Sequence, residues 1–161
     1  MKAEKVYHVL NALSIHYETL QHIAVFTVEE MKKAVPDLDA QGCKNLFLRD
    51  NKGKQHFLVV MPEDKPFNLK SFGDTHAIGK LSFASEKRLI KYLDLTPGSV
   101  SPFGLINDTE NHVIVFVDSD LIKADKVSFH PNDNTASVVL ASSDFKLFMD
   151  SLDNLVNWVH I

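Results

Sequence analysis

The sequence predicts an α+β fold organised on a mixed sheet, and three observations carry that reading. Lys44 to Val60, KNLFLRDNKGKQHFLVV, has the shape of two strands joined by a turn at Asp50-Asn51-Lys52-Gly53. Lys126–His130 and Thr135–Leu140 form a second pair of strands around Pro131-Asn132-Asp133-Asn134. Stretches with helical spacing are interleaved among the strands. Short turns thus join neighbouring strands twice, which a doubly wound parallel sheet does not do.

Taken in order, Lys2–Leu13 places Val6, Val9, Leu10 and Leu13 on one stripe and predicts a first helix. His16–Leu20 is short enough for an edge strand. Thr27 is an N-cap with Glu30 three residues on, a capping box that opens a helix from about Val28 to Ala34, stopped before Pro36. Phe67–Thr75 reads as a weak helix punctuated by Gly73. Lys80–Ala84 reads as a short strand, and Ser85 caps a helix over Glu86–Leu93 that ends at Thr96-Pro97-Gly98. A loop rich in Gly, Ser and Pro follows. Val113–Val117 is a continuous apolar run and a strand, and Asp118–Ile122 is a turn or a single helical turn. Ser143–Leu152 is the last helix, capped by Ser142 or Ser143, and Val156–Val159 adds a final strand.

At 161 residues the chain is expected to be one domain, residues 1–161, with an ordinary composition of 45% apolar and 24% charged residues. The one cysteine, Cys43, excludes an intramolecular disulfide framework and fits a reducing, cytoplasmic setting. No apolar run approaches a membrane span, and MKAEKVYHVLNAL is unlike a signal peptide. The net charge of −4 is unevenly spread. Residues 1–43 carry −2, residues 44–91 carry +5 and residues 92–161 carry −7. A basic middle between acidic flanks is a footprint for a polyanion, although a solvated face of mixed charge is the commoner origin of such a pattern.

Several catalytic constellations are missing: no phosphate-cradling glycine loop, no H-E-x-x-H and no paired cysteines. The eight histidines are scattered, so neither a metal nor a cofactor is expected. Three stretches remain. Lys44 shares a strand face with Leu46 and Leu48, while Asn45, Phe47 and Arg49 face the other way. A lysine at a strand mouth ordinarily packs its stem and keeps its head in water. Gly98-Ser99-Val100-Ser101-Pro102 fixes an unusual backbone that can leave N–H groups free, although such residues more often just close a helix. Phe129-His130-Pro131 with Asn134-Thr135 crowds polar groups into a turn. There His130 either titrates in a site or is satisfied by a nearby carbonyl, the commoner case. Cys43 neighbours Lys44, but strand alternation turns the two side chains apart, which favours a buried structural thiol.

Together these stretches resemble the prolyl-tRNA editing proteins, the YbaK/ProX-type aminoacyl-tRNA deacylases, and the related editing domain of bacterial prolyl-tRNA synthetases. The matching motifs are HIAVFTVEE at 22–30, KNLFLRD at 44–50, KLSFASEKRL at 80–89, PGSVSPFGLIND at 97–108 and FHPNDNTAS at 129–137. They lie in family order and cover nearly the whole chain. The KNLFL, LSFAS and FHPxxNTA wording is most similar to the ProX branch, which removes alanine from mischarged tRNA(Pro). His22-Ile23-Ala24 departs from the His-Pro-Pro of many relatives.

The resemblance implies a barrel-like mixed sheet flanked by helices. It implies Lys44, Gly98 and His130 as the catalytic set. Lys44 would be the near-signature lysine, Gly98 and Pro102 would frame the loop that contacts the aminoacyl end, and His130 would line the amino-acid pocket. Asn45, Ser99, Val100, Ser101, Asn134 and Thr135 would bind substrate, with His22 near the entrance. The implied partner is the acceptor end of mischarged tRNA(Pro), with prolyl-tRNA synthetase or an elongation factor as assistants. No Ser-His-Asp or Cys-His triad is offered, and the resemblance implies that the substrate helps, with the adenosine's free hydroxyl positioning or activating water. A synthetase built for proline rejects the smaller alanine by only about 1–3 kcal/mol, which is why a second sieve is needed. The alternatives are a deacylase for cysteinyl or another small aminoacyl group, a non-enzymatic nucleic-acid-binding module, and an amino-acid sensor.

Overall fold

A computed structural model describes residues 1–161. Its organising strand is β2 (Gln41–Asp50), which pairs antiparallel with β3 (His56–Pro62) from Cys43↔Pro62 to Arg49↔His56. The other edge of β2 is shared. Gln41 and Gly42 pair in parallel with β6 (Lys126–Phe129), and Leu48–Asp50 pair antiparallel with β4 (Leu81–Phe83). Beyond β6 lie β7 (Ala136–Ala141) and the edge strand β1 (Tyr17–Gln21). Beyond β3 lie β5 (Ile114–Asp118) and β8 (Val156–Val159). The eight strands are mixed in direction and run from β1 to β8 without closing, so the expected barrel is approached only loosely.

Period-2 alternation sorts the hairpin between two cores. Phe47, Leu58 and Val60 enter the larger core, with Val6 and Leu10 of α1 (Lys2–Ala12), Leu89 and Leu93 of α4 (Glu86–Leu93), and Phe145 and Phe148 of α6 (Ser142–Asp150). Leu48, Phe57, Val59 and Met61 enter the smaller one, beside Phe72 of α3 (Leu69–Thr75). Every residue of β3 is buried, as suits a strand covered on both faces.

The caps at Thr27 and Ser85 form as expected, each accepting the N–H three residues on, from Glu30 at 3.1 Å and Arg88 at 3.2 Å. Helix α2 therefore spans Val28–Ala34, and a single turn, α5, covers Asp120–Lys123. Two expectations need correction. Neither Ser142 nor Ser143 caps α6. Its N-cap is Ala141, and the Ser142 hydroxyl donates to the Ala124 carbonyl while its amide reaches Asp125. The junction after α5 has unpaired carbonyls to satisfy, and it claims the serine. The Gly/Ser/Pro loop also continues into a buried 3-10 helix over Pro102–Asn107, because Ser101 caps it and Pro102 starts it with the right φ.

Candidate active site

Between β6 and β4, the middle of one edge of β2 has no strand partner. Here Asn45 reaches across to the Gly98–Ser101 loop, its Nδ2 donating to the Val100 carbonyl at 3.2 Å. This contact lies at the floor of a cleft in two joined parts. The more enclosed part, about 340 Å³, lies between α2, the start of β2 and the end of β6. The outer part, about 210 Å³, lies under Phe26, Gly98 and Val100. Met31, Cys43, Asn45, Glu63 and His130 line both. Helix α2 roofs the cleft and buries none of its own residues.

Gly98 sits at φ +86°, and a Cβ there would lie 2.7 Å from Phe26 and 3.4 Å from Asn134. Only glycine allows both that backbone and that closeness. The Ser99 amide is taken by the Thr96 carbonyl at 3.0 Å, while those of Gly98 and Val100 donate to no acceptor in the chain. Asn134 ties the β6–β7 turn to the segment before α2 through Nδ2 to the Val25 carbonyl at 2.8 Å, and the Val25 amide returns to Asn134 at 3.2 Å.

The two histidines near the cleft differ in what they leave open. His130 Nδ1 donates to the Ala136 carbonyl at 2.8 Å, so in the neutral ring Nε2 is an acceptor, and it has no partner in the chain. Burial holds the His130 pKa below its ordinary value, against the pull of the Ala136 carbonyl. His22 lies 5.8 Å away, ring to ring, but does not line the cleft. Its Nδ1 donates to the Ile23 carbonyl at 2.8 Å and its Nε2 accepts from Ser137 Oγ at 2.9 Å.

Lys44 lines the outer part and donates through Nζ to the carbonyl of Lys65. That segment is anchored, because the Lys65 ammonium pairs with buried Asp118 at 2.7 Å and with Asp120 at 2.6 Å. Lys65 and Lys123 pull the Asp120 carboxyl down to about 2. Cys43 faces the larger core, away from Lys44, and burial pushes its thiol pKa up, so it is no thiolate nucleophile.

Of the residues singled out in the sequence, Lys44, Asn45, Gly98, Val100 and His130 meet at the cleft. Ser99, Ser101, Pro102, Asn134, Thr135 and His22 support its walls instead. Ser101 and Pro102 are buried in starting the 3-10 helix, and Thr135 Oγ1 donates to Asp133 at 2.6 Å. Met31 and Glu63 were not singled out. A methionine on a helix and an acid after a strand-ending proline are commonplace, and nothing local marks either.

No helix is long and apolar enough to cross a membrane. Residues 22–148 match the family model for the aminoacyl-tRNA editing domain. The chain is 46% identical to the prolyl-tRNA editing protein ProX of Acetoanaerobium sticklandii, covering 90% of this chain and 88% of that one. It is 35% identical to the mouse prolyl-tRNA synthetase associated domain-containing protein 1, covering 87% and 85%. A crystal structure of a candidate trans-editing enzyme for prolyl tRNA synthetase superposes with a TM-score of 0.73 over 99% of this chain and 97% of that one, at 18% identity, which speaks for the fold. By sequence along most of its length, the chain belongs to the aminoacyl-tRNA editing domain family.

Proposed function

We propose that the protein is a trans-editing hydrolase that removes alanine from mischarged tRNA(Pro). Membership of an editing family makes it an aminoacyl-tRNA deacylase. The finer reading is supported above all by one observation, the small cleft in which Lys44, Asn45, Gly98 and His130 converge from three separate stretches.

In this reading the aminoacyl end of the tRNA enters under Phe26 and the amino acid occupies the inner part. Water adds to the ester carbonyl, the developing oxyanion takes hydrogen bonds from the free amides of Gly98 and Val100, and the ribose oxygen leaves with a proton. The products are alanine and tRNA. No protein nucleophile is needed, which suits a neutral Cys43 thiol and serines committed to the fold. The adenosine's vicinal hydroxyl would position the water. Lys44 would turn from the Lys65 carbonyl to the terminal phosphate or the ester. His130, neutral and fixed by Ala136, would limit the size of the pocket. The basic segment 44–91 would hold the acceptor stem through phosphates, so affinity should fall steeply with salt.

Deacylation of alanyl-, cysteinyl- and prolyl-tRNA(Pro) by the purified protein, with Lys44→Ala alongside, tests this reading. Rapid loss of alanine, abolished in Lys44→Ala and with prolyl-tRNA spared, is expected. Preference for the cysteinyl ester would move the substrate assignment, and inertness toward all three would overturn the activity.

A further inference from the structure

We propose that Glu63 recognises the α-ammonium of the aminoacyl ester, with Asn45 Oδ1 and His130 Nε2 as the neutral acceptors beside it. The inference rests on the editing reading and adds the chemical group by which the substrate is held.

Glu63 lines both parts of the cleft, and neither a hydrogen-bond donor nor a cation of the chain meets its carboxylate. Lys32, which could have paired with it, reaches Asp64 at 3.6 Å instead. Asn45 Oδ1 is buried and has no partner. Its orientation is secured from the other end, since only the amide nitrogen can donate to the Val100 carbonyl. His130 adds Nε2, an acceptor because Nδ1 holds the proton on Ala136. The cleft therefore presents a carboxylate and two neutral acceptors, while the Lys44 ammonium is turned to the Lys65 carbonyl.

A primary ammonium is the complement of that set, with three N–H donors, one positive charge and no acceptor. A carboxylate, phosphate or carbonyl would meet repulsion here. Gly42 keeps the arrangement in place, because a Cβ on it would lie 2.4 Å from the Glu63 carboxylate. Burial raises the Glu63 pKa, with Asp64 and Glu29 adding to the rise and Lys32 opposing it, as expected for an anion stored without its counter-charge. Prolyl esters carry a ring nitrogen with two N–H groups and so satisfy fewer of the acceptors. Esters whose α-amine is replaced by hydroxyl offer no charge at all.

The test compares alanyl-tRNA(Pro) with lactyl-tRNA(Pro), which has a hydroxyl in place of the ammonium, on wild type and Glu63→Gln. We expect Glu63→Gln to lower kcat/KM for the alanyl ester about tenfold to a hundredfold, the scale of a hydrogen bond to a charged group. The slow lactyl reaction should stay within about twofold, because it never had that bond. Equal losses on both esters, or none on either, would overturn the assignment while leaving the editing reading intact. A parallel binding arm uses 3′-deoxy-3′-(L-alanylamino)adenosine and its lactyl amide counterpart, neither hydrolysable as an ester. If wild type hydrolyses neither tRNA ester, the editing reading fails. Tighter binding of the alanyl than the lactyl analogue, lost in Glu63→Gln, would still uphold the role of Glu63, and indifference to the substitution would overturn it.

Discussion

The two ends of β2 each hold a histidine pair, and the pairs are wired in opposite ways. At the hairpin end His56 is fully buried and both ring nitrogens are used. Nε2 meets Arg88 Nη1 at 2.9 Å, and Nδ1 meets His112 Nε2 at 2.9 Å. Arginine can only donate, so His56 Nδ1 carries the proton to His112. Tyr92 packs against both rings, 4.3 Å from His56 and 4.4 Å from His112. At the cleft end His22 is equally committed, but His130 keeps Nε2 open, and Asn45 Oδ1 and the Glu63 carboxylate are open beside it. Asn132, in the adjoining β6–β7 turn, also keeps a buried oxygen without a partner. An unpaired buried polar group costs about 1–3 kcal/mol, so the open Asn45 oxygen in the cleft makes sense where a ligand completes it. The hairpin end stabilises the fold, and the cleft end carries the proposed chemistry.

That contrast can be broken at either end. His56→Ala should show the largest effect, a loss of about 3 kcal/mol in stability, since it opens a cavity and strips Arg88 and His112 of a partner. Chemical denaturation would read the loss, and kcat/KM for the alanyl ester at a temperature where the variant stays folded should be unchanged. Gly98→Ala should invert the pattern. Its Cβ would push on Phe26 and strain a positive φ, costing roughly a hundredfold in kcat/KM. The variant's melting temperature should fall by only about 2–4 °C, for the roughly 1 kcal/mol that a non-glycine residue loses at positive φ.

His130→Ala sharpens the comparison further. Enlarging the pocket should raise deacylation of prolyl-tRNA(Pro) about tenfold, as expected for a methylene or two of added room. Unchanged discrimination would remove His130 as a size filter. The smallest effect per step is that of pH, at most about 1.4 kcal/mol for each unit. The His56 pKa is lowered to about 4, first by burial and then by His112 and Arg88. The unfolded chain therefore binds a proton near its ordinary value of 6.5 while the folded one does not. The stability this neutral form contributes is present above that value and is lost as pH falls towards 4, with a limiting slope of about 1.4 kcal/mol per pH unit. Denaturation curves from pH 7 to 4 should show this component in wild type and lack it in His56→Leu. His130, whose pKa is also lowered, should stay neutral at pH 7, so activity should hold just below 6.5 before it falls.

Elements whose cause is local were legible. The KNLFL alternation placed Lys44 and Asn45 on opposite faces, and the structure keeps them there, Lys44 towards Lys65 and Asn45 towards Val100. Thr27 and Ser85 cap their helices because the N–H each satisfies lies three residues away. Ser142 was misjudged for the same reason turned round: its partners, Ala124 and Asp125, lie in a segment that only packing brings near. Glu63 was missed because an acid after a strand says nothing about where a helix from residues 28–34 will lie.

The sequence by itself determined the α+β class, the hairpins, the caps and, through its motifs, the family. Periodicity and capping act over two to four residues and are written where they act. Only the tertiary structure decided that β3 pairs in parallel with β5, that the gap in the edge of β2 is bridged by Val100, and which polar atoms stay unpaired in the cleft. Asn45 and Val100 are 55 residues apart and His22 and Ser137 are 115 apart. Contacts at such separation depend on the closure of the whole sheet, which no local stretch of the chain records.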